Sequence, residues 1–284
     1  MDLAVVVPCR NVAATLREQL DALVVEHWDG EWEILVVDNR STDATVAIAK
    51  GYSASCPRLR VVPAHEGTGV SYVRNEGVRA STANAVVFCD GDDVIEPGWV
   101  AAYGTALREH ELVTGPLDLI SLNIPELARA RGTASAERVP TFGRIPFARG
   151  NNGGMQRATF DRLGGYDEQF IGLEDIELSI RAAALGVDVT FVPEARVRYR
   201  YHDSVQALWR QGLFYGGSTA ELATRARRHG LDPPSRWAGT RSWAWMVAHL
   251  GDVRTRAGRL GLLWVLANRL GTLRGAAQAR TLYV

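Results

Sequence analysis

Three carboxylates fall within four residues at Asp90-Gly91-Asp92-Asp93, directly after the apolar run 85–89. Like charges that close raise one another's pKa unless something positive sits among them. A hard divalent cation, Mn²⁺ or Mg²⁺, is the natural neutraliser, because such ions take carboxylate oxygens and draw only one or two of them from the protein, the rest coming from substrate phosphates and water. The same residues would equally make an acidic turn capping a helix that starts near Pro97. Ahead of them, Gly67-Thr68-Gly69 opens a helical segment carrying Arg74 and Asn75. A glycine turn at a helix start offers backbone N–H groups to a phosphate, with Arg74 adding charge from the second turn; two glycines can also mean only a turn. A third group, Glu174-Asp175-Ile176-Glu177, follows Gly172. Acidic residues in a first helical turn suit the helix macrodipole, and a carboxylate there could instead serve as a general base.

The elements that must position these groups follow from hydrophobic periodicity. Residues 3–7, 33–37, 59–62 and 85–89 are short runs of Val, Ile and Leu, the pattern of strands buried on both faces. Stretches of helical period separate them, at about 12–25, 42–52 and 70–80. The β-α-β-α order makes the chain an α/β protein with a parallel sheet and right-handed crossovers. Ligands of such sheets collect at the carboxyl ends of the strands, which here are the polar segments 8–11, 38–41 and 90–93. A helix over 98–110 and a strand over 112–117 are expected next. Residues 118–150, with Pro125, Pro140 and Pro146, lose periodicity and read as a long connection of the kind that forms lids. Order resumes at 151–157, then a helix over 174–185 and strands over 189–192 and 196–201. Ile176, Leu178 and Ile180 alternate in a way that a one-sided helix does not, so the start of that helix is imprecise.

Everything beyond Ser204 reads helical, with Trp209, Trp237, Trp243, Trp245 and Trp264 among many arginines. The expected division is a domain over 1–203, with a nucleotide-binding half 1–115 and an acceptor half 116–203, and a helical extension over 204–284. The 284 residues are 46% hydrophobic and 23% charged, a globular composition. Net charge is zero, yet residues 222–284 hold eleven arginines against Asp232 and Asp252 alone. The longest apolar run there, 260–267, is far short of the roughly 20 residues a membrane span needs. A basic helical segment with aromatic residues, 236–284, could lie on an anionic membrane surface, or dock on the domain or on a second subunit. Cys9, Cys56 and Cys89 are odd in number and widely spaced, and Met1-Asp2 opens no cationic leader. These features place the chain in the cytoplasm, with 236–284 the segment that could touch the inner face of the membrane. No nucleic-acid-binding module accompanies the arginines, so nucleic acid is not expected as a partner.

Taken in order, Val6-Val7-Pro8-Cys9-Arg10-Asn11, Val36-Val37-Asp38-Asn39-Arg40-Ser41-Thr42-Asp43, Arg74-Asn75-Glu76-Gly77, Phe88-Cys89-Asp90-Gly91-Asp92-Asp93, Gly164-Gly165-Tyr166-Asp167-Glu168-Gln169-Phe170 and Glu174-Asp175-Ile176-Glu177-Leu178 resemble family 2 glycosyltransferases. The likeness covers roughly residues 3–202. It implies a GT-A fold: a Rossmann-like, mostly parallel sheet flanked by helices, here with a C-terminal helical extension. It also implies an inverting, metal-dependent transfer from a nucleotide-diphosphate sugar, UDP-linked in the first place. The acceptor would be a hydroxyl of a glycan, glycolipid or small molecule, as in cell-surface polysaccharide or glycolipid synthesis.

Residue by residue, the resemblance places Pro8, Asp38 and Asn39 at the nucleotide base, Arg74 near the base or diphosphate, and Arg10 among the nucleotide-binding residues. It places Asp90, followed by Gly91, at the ribose. Asp92 becomes the metal ligand with His202 completing the shell of Mn²⁺ or Mg²⁺, and Asp175 the catalytic base with Glu174 beside it. Two positions depart from the common pattern: Asn39 stands where many relatives carry a second Asp, and Arg10 where many carry Tyr or Phe. Two other readings stay open. A sugar-1-phosphate nucleotidyltransferase would want a Gly-rich, basic loop where the chain has Pro8-Cys9-Arg10-Asn11. A non-catalytic sugar-nucleotide-binding subunit would not need Asp92, Asp175 and His202 together. A homo-oligomer is compatible with all three.

Overall fold

The apolar runs assemble into a seven-stranded sheet in the computed structural model, which describes residues 1–131, 137–281 and 283. In chain order the elements are β1 (Leu3–Cys9), α1 (Leu16–Val24), β2 (Trp32–Asp38), α2 (Thr45–Ser55), β3 (Leu59–Pro63), α3 (Val70–Arg79), β4 (Ala85–Cys89), β5 (Val94–Ile95), α4 (Trp99–Ala106), β6 (Leu112–Thr114) and β7 (Leu117–Asp118). Then come α5 (Pro125–Arg131), β8 (Thr141–Phe142), β9 (Ile145–Pro146), β10 (Asn152–Gln156), α6 (Arg157–Leu163), α7 (Glu174–Ala184), β11 (Val189–Phe191), β12 (Val197–Arg198), α8 (Val205–Arg228), α9 (Ala238–Ala248), a 3₁₀ turn (Leu250–Arg254) and α10 (Arg256–Gln278). The chain forms two compact units: Met1–Asp118 with Ala136–Pro140 and Pro146–Tyr199, and Leu119–Ser135 with Thr141–Ile145 and Arg200–Val284.

In the first unit the strand order is β11-β6-β10-β4-β1-β2-β3. Strand β1 pairs in parallel with β2 on one side and β4 on the other, and β2 pairs in parallel with β3. The chain therefore winds outward from β1 to β3 and returns to β4, which makes the carboxyl ends of β1 and β4 a topological switch point. Alternation along β1 shows why these strands carry unbroken apolar runs. Leu3, Val5, Val7 and Cys9 join one core with Leu16, Leu20 and Trp99, while Ala4 and Val6 join another with Val73, Phe160 and Leu178. Helix α3 lies close on the second face because Gly77 carries no side chain there: a Cβ would stand 2.4 Å from Val6 Cγ1 and 3.1 Å from Val37 Cγ2.

The sheet is not purely parallel. Strand β10 runs antiparallel to both β4 and β6, which the β-α-β reading did not anticipate. Nor is 118–150 without regular structure: α5, β8 and β9 lie within it, and residues 132–136 of that connection lie outside the described residues. The strand expected over 112–117 is two short ones, β6 and β7, and α1 starts at Leu16 rather than at 12. Among the described residues, no helix is long and apolar enough to cross a membrane. In the second unit, α8 packs along α10, and the Arg131 guanidinium of α5 sits 3.4 Å from the centroid of the Trp264 ring and donates to Gln211 Oε1 at 2.8 Å.

Asn152 at the start of β10 is fully buried. Its Oδ1 accepts from Trp99 Nε1 and from the Tyr103 hydroxyl, each at 2.8 Å, and its Nδ2 donates to the carbonyls of Pro116 (2.8 Å) and Ala195 (2.9 Å). One amide thus joins α4, the turn before β7 and the chain leading into β12. Replacing it with alanine leaves Trp99 Nε1–H and the Ala195 carbonyl without this partner, while the Tyr103 hydroxyl keeps the Asn152 backbone carbonyl and the Pro116 carbonyl keeps Val197 N–H, at about 1–3 kcal/mol for each group that finds no water. Asn152→Ala is expected to lower unfolding free energy by several kcal/mol in urea denaturation; a loss below about 1 kcal/mol would show that the amide is not a structural join.

Candidate active site

The polar strand ends meet at the switch point. A cavity of about 210 Å³ is lined by Pro8 and Cys9 at the end of β1, Arg10 and Val12 after it, Asn39 after β2, Gly69, Val70 and Val73 of α3 and the turn before it, and Asp90, Gly91 and Asp92 after β4. Of the residues expected to bind nucleotide or metal, Pro8, Arg10, Asn39, Asp90, Gly91 and Asp92 line this cavity. Arg74, Asp38 and the Glu174-Asp175 pair stand behind it or beside it. His202 is exposed and belongs to the second unit, where it borders a separate hollow with Arg210, Phe214 and Tyr215.

The β4–β5 turn is held from α1. Gln19, fully buried on an otherwise apolar helix face, donates from Nε2 to the Asp90 carbonyl at 3.1 Å and accepts from Ile95 N–H at 2.9 Å. Thr15 Oγ1 donates to the Gly91 carbonyl at 3.2 Å. Asp93 is buried and accepts from Asn151 Nδ2 at 2.8 Å, so of the three clustered carboxylates it is the one turned to internal structure. Periodicity could have flagged Gln19, a polar residue at a core position of α1; nothing in the sequence marks its partner.

At the end of β2, the Asn39 amide is oriented by its surroundings. Its Nδ2 donates to the backbone carbonyls of Ala64 and Gly67. Both amide hydrogens are thereby committed, which leaves Oδ1, an acceptor, as the remaining polar function of a cavity-lining side chain. Beside it, Asp38 Oδ2 accepts from Ser41 N–H at 3.3 Å, while the buried Oδ1 has no hydrogen-bond partner among the described residues. Non-glycine residues with positive φ, Asn11 (56°) and Arg40 (58°), follow β1 and β2, and Leu173 (60°) precedes α7. Left-handed backbone at these three turns carries a local cost that the surrounding contacts must hold.

Arg74 is the hub. Its side chain is 2% exposed; Nη1 donates to Glu174 Oε1 at 2.6 Å and Nη2 to Asp90 Oδ1 at 3.2 Å. The guanidinium lies over the rings of Phe88 and Tyr166, 5.9 and 5.4 Å from their centroids. Gly150 allows this approach, because a Cβ there would stand 2.8 Å from Arg74 Nη1. Burial alone would lower the pKa of Arg74, but Tyr166, Asp90 and Glu174 outweigh it and hold it above its ordinary value. Arg74 is therefore a permanent cation whose charge is spent on carboxylates of the protein.

Asp175, next to the Arg74 partner Glu174, accepts from Gly150 N–H at 3.0 Å through Oδ2 and from Ile176 N–H at 2.9 Å through Oδ1. Withdrawal from water by the surrounding protein, and then the Glu174 carboxylate, push Asp175 up to about 6. Withdrawal from water likewise raises Asp90, to about 7, with Arg74 opposing and Asp92 and Glu174 reinforcing the shift. Ile176, Leu178 and Ile180 are all buried, as are Glu177 and Ser179, so α7 is enclosed over most of its circumference. This explains the awkward alternation in its sequence.

A mostly parallel sheet with β10 reversed, carrying acidic turns at a switch-point cavity, is the GT-A arrangement. The chain belongs to glycosyl transferase family 2, whose family model matches residues 4–164. It is 26% identical over 227 residues to the probable glycosyltransferase YdaM of Bacillus subtilis, covering 74% of this chain and 53% of that protein. The chain spans about half the length of the curated relatives it matches. Among solved structures, it is similar to the mannosyltransferase PcManGT of Pyrobaculum calidifontis in complex with GDP-Man and Mn²⁺, with a TM-score of 0.63, 17% identity and coverage of 95% of this chain and 86% of that one. It is also similar to S. aureus TarS 1-349 in complex with UDP-GlcNAc, with a TM-score of 0.57, 16% identity and coverage of 99% and 93%.

Removing the hub cation should uncover the carboxylates it holds. Arg74→Met is expected to cost about 3–5 kcal/mol of stability, the usual penalty for deleting one partner of a buried ion pair. Without the cation, which opposes the rise, the folded-state pKa of Asp90 climbs further above that of the unfolded chain. Acids raised in this way bind more protons folded than unfolded, so they favour the fold at low pH and disfavour it as pH rises. The stability deficit of Arg74→Met should be larger near pH 8 than near pH 5 in chemical denaturation; an equal deficit at both would remove Arg74 from that role.

Proposed function

We propose that the chain is an inverting glycosyltransferase that moves a sugar from a nucleoside-diphosphate donor, UDP-linked in the first place, to an acceptor hydroxyl. The observation that supports it most is the Asp90–Arg74–Glu174 ion-pair chain, which links the nucleotide-side cavity to the carboxylate next in sequence, Asp175. Because Arg74 neutralises Glu174, Asp175 is the carboxylate of the pair left to take up a proton. It accepts the proton of the acceptor hydroxyl as that oxygen attacks the anomeric carbon. The bond from that carbon to the diphosphate oxygen breaks, the nucleoside diphosphate departs with the electron pair, and a single displacement inverts the configuration. A pKa near 6 leaves Asp175 ionised at neutral pH yet more basic than an ordinary aspartate, as base catalysis favours.

The donor reading rests on the cavity. Asn39 Oδ1 offers an acceptor to a ring N–H such as N3–H of uracil or N1–H of guanine, and the small volume suits the pyrimidine. The GDP-Man and UDP-GlcNAc in PcManGT and TarS are sugars on those two bases. Among the described residues no three His, Cys, Asp or Glu side chains converge as a preformed metal site. Asp92 at the cavity wall is the residue suited to hold Mn²⁺ or Mg²⁺, since such ions take few protein ligands when phosphates supply the rest. That cation, when bound, would offset negative charge on the departing diphosphate.

Asp175→Asn should bind donor with unchanged affinity and lose about 10²–10⁴ in turnover. In the unaltered protein kcat/KM should fall as pH drops through about 6, because protonation removes the base. Retained turnover in the variant, or a flat profile across that range, would reassign the base. Calorimetric titration with UDP and GDP and their sugars should show binding that needs Mn²⁺ and weakens in Asp92→Ala. Binding insensitive to both would take the metal out of the proposal. Binding of donor without any turnover would instead favour the non-catalytic subunit.

A further inference from the structure

In the second unit, α9 is exposed over about half its circumference, and Gly239 is the one buried residue on it. Residues 237, 241, 244 and 248 follow the i, i+4, i+7, i+11 spacing of one helix face, and all four are exposed. The exposed side is not the polar side that a helix usually turns to water. Trp237 is 59% exposed, Trp245 40% and Val247 70%, and the following turn adds Leu250 at 58% and Val253 at 48%. Five large apolar side chains in seventeen residues is more than isolated surface hydrophobes account for, and contiguous exposed apolar surface marks an interaction site.

The charges among them carry one sign. Residues 233–251 contain no Asp or Glu, and Arg236, Arg241, Arg254, Arg256 and Arg259 are all exposed, against Asp252 alone. Indole rings beside aliphatic side chains, bordered by arginines, match the layering of a bilayer interface. There the rings sit at headgroup level, the aliphatic tips reach the acyl boundary, and the guanidinium groups meet lipid phosphates. A protein partner would be expected to place acids against this surface. An anionic lipid leaflet meets both its properties at once.

We infer that α9 and the turn Leu250–Arg254 form an interfacial anchor that docks the protein on an anionic membrane surface. None of these residues lines the switch-point cavity, so docking and catalysis are carried by separate side chains. Docking adds a class of acceptor to the proposed function: a transferase held at such a surface meets lipid-borne hydroxyls at high local concentration.

The test is co-sedimentation of the full chain with vesicles of phosphatidylcholine alone and of phosphatidylcholine with phosphatidylglycerol, at low and high salt. Binding is expected to the anionic vesicles and to fall with salt. Trp245→Ser combined with Val247→Ser should abolish it. Arg241→Gln and Arg254→Gln should each weaken it about fivefold, the ratio that corresponds to about 1 kcal/mol per charge near an anionic leaflet. The substituted side chains are exposed, so the variants should keep the melting temperature and nucleotide binding of the parent protein, which separates loss of docking from loss of fold. Three outcomes would overturn the inference: no binding to either vesicle, equal binding to both, or a concentration-dependent dimer in solution that the Trp245→Ser and Val247→Ser changes dissolve.

Discussion

The structure depends on one buried cation. A guanidinium at 2% exposure has lost nearly all contact with water, and such a group is tolerated only when opposite charges and aromatic faces take the place of the solvent. Arg74 obtains them from four places in the chain: Phe88 on β4, Asp90 in the turn after it, Tyr166 in the loop after α6, and Glu174 at the start of α7. Segments separated by up to a hundred residues must therefore converge on one point. The requirement also runs in reverse. Arg74 opposes the rise that burial, Asp92 and Glu174 impose on Asp90, so the acidity of the site and the positions of its loops have a common origin.

Around that point, the protein fixes the acidic turns from behind with groups that have no chemical part. Gln19 and Thr15 grip the carbonyls of Asp90 and Gly91, Asn151 takes up Asp93, and the Gly150 and Ile176 amides hold the two oxygens of Asp175. Backbone groups and neutral amides fix carboxylates without cancelling their charge. The exception, Arg74, reaches Asp90 and Glu174 and leaves Asp175 to backbone donors. Two adjacent acids at the start of α7 thus acquire different properties, one neutralised and one displaced toward neutral pH.

Much of this was legible from residue types. The strands β1 to β4 stand out because burial on both faces demands unbroken Val, Ile and Leu, and the switch-point rule then brings Pro8, Asn39, Asp90 and Asp92 together. Strand β10 shows only as a return of order over 151–157, not as a strand. Its sequence Asn-Gly-Gly-Met-Gln lacks apolar bulk, since Gly153 and Gly154 lie against neighbouring strands and Asn152 is spent on hydrogen bonds. Pro125 suggested a break, yet it occupies the first position of α5, where the missing N–H costs nothing. The role of Arg74 was hidden for a different reason. An arginine in a glycine-led helix suggests a phosphate, and only the fold reveals that Glu174, a hundred residues away, satisfies it first.

The close seat of α3 on the sheet limits how the family member could change over evolutionary time. Gly77 presses that helix against Val6 and Val37, so the wall formed by Gly69, Val70 and Val73 cannot retreat from the strand ends without unpacking the core. On the proposed reading of the cavity as the base site, room for a bulkier base would have to come from the opposite side, through Arg10 and Val12. Arg10 is exposed, so substitution there disturbs little else, whereas Val12 is half-buried and packs against the core. Under that proposal, the width of the site is set by the α3 wall and its adjustable side is the turn after β1.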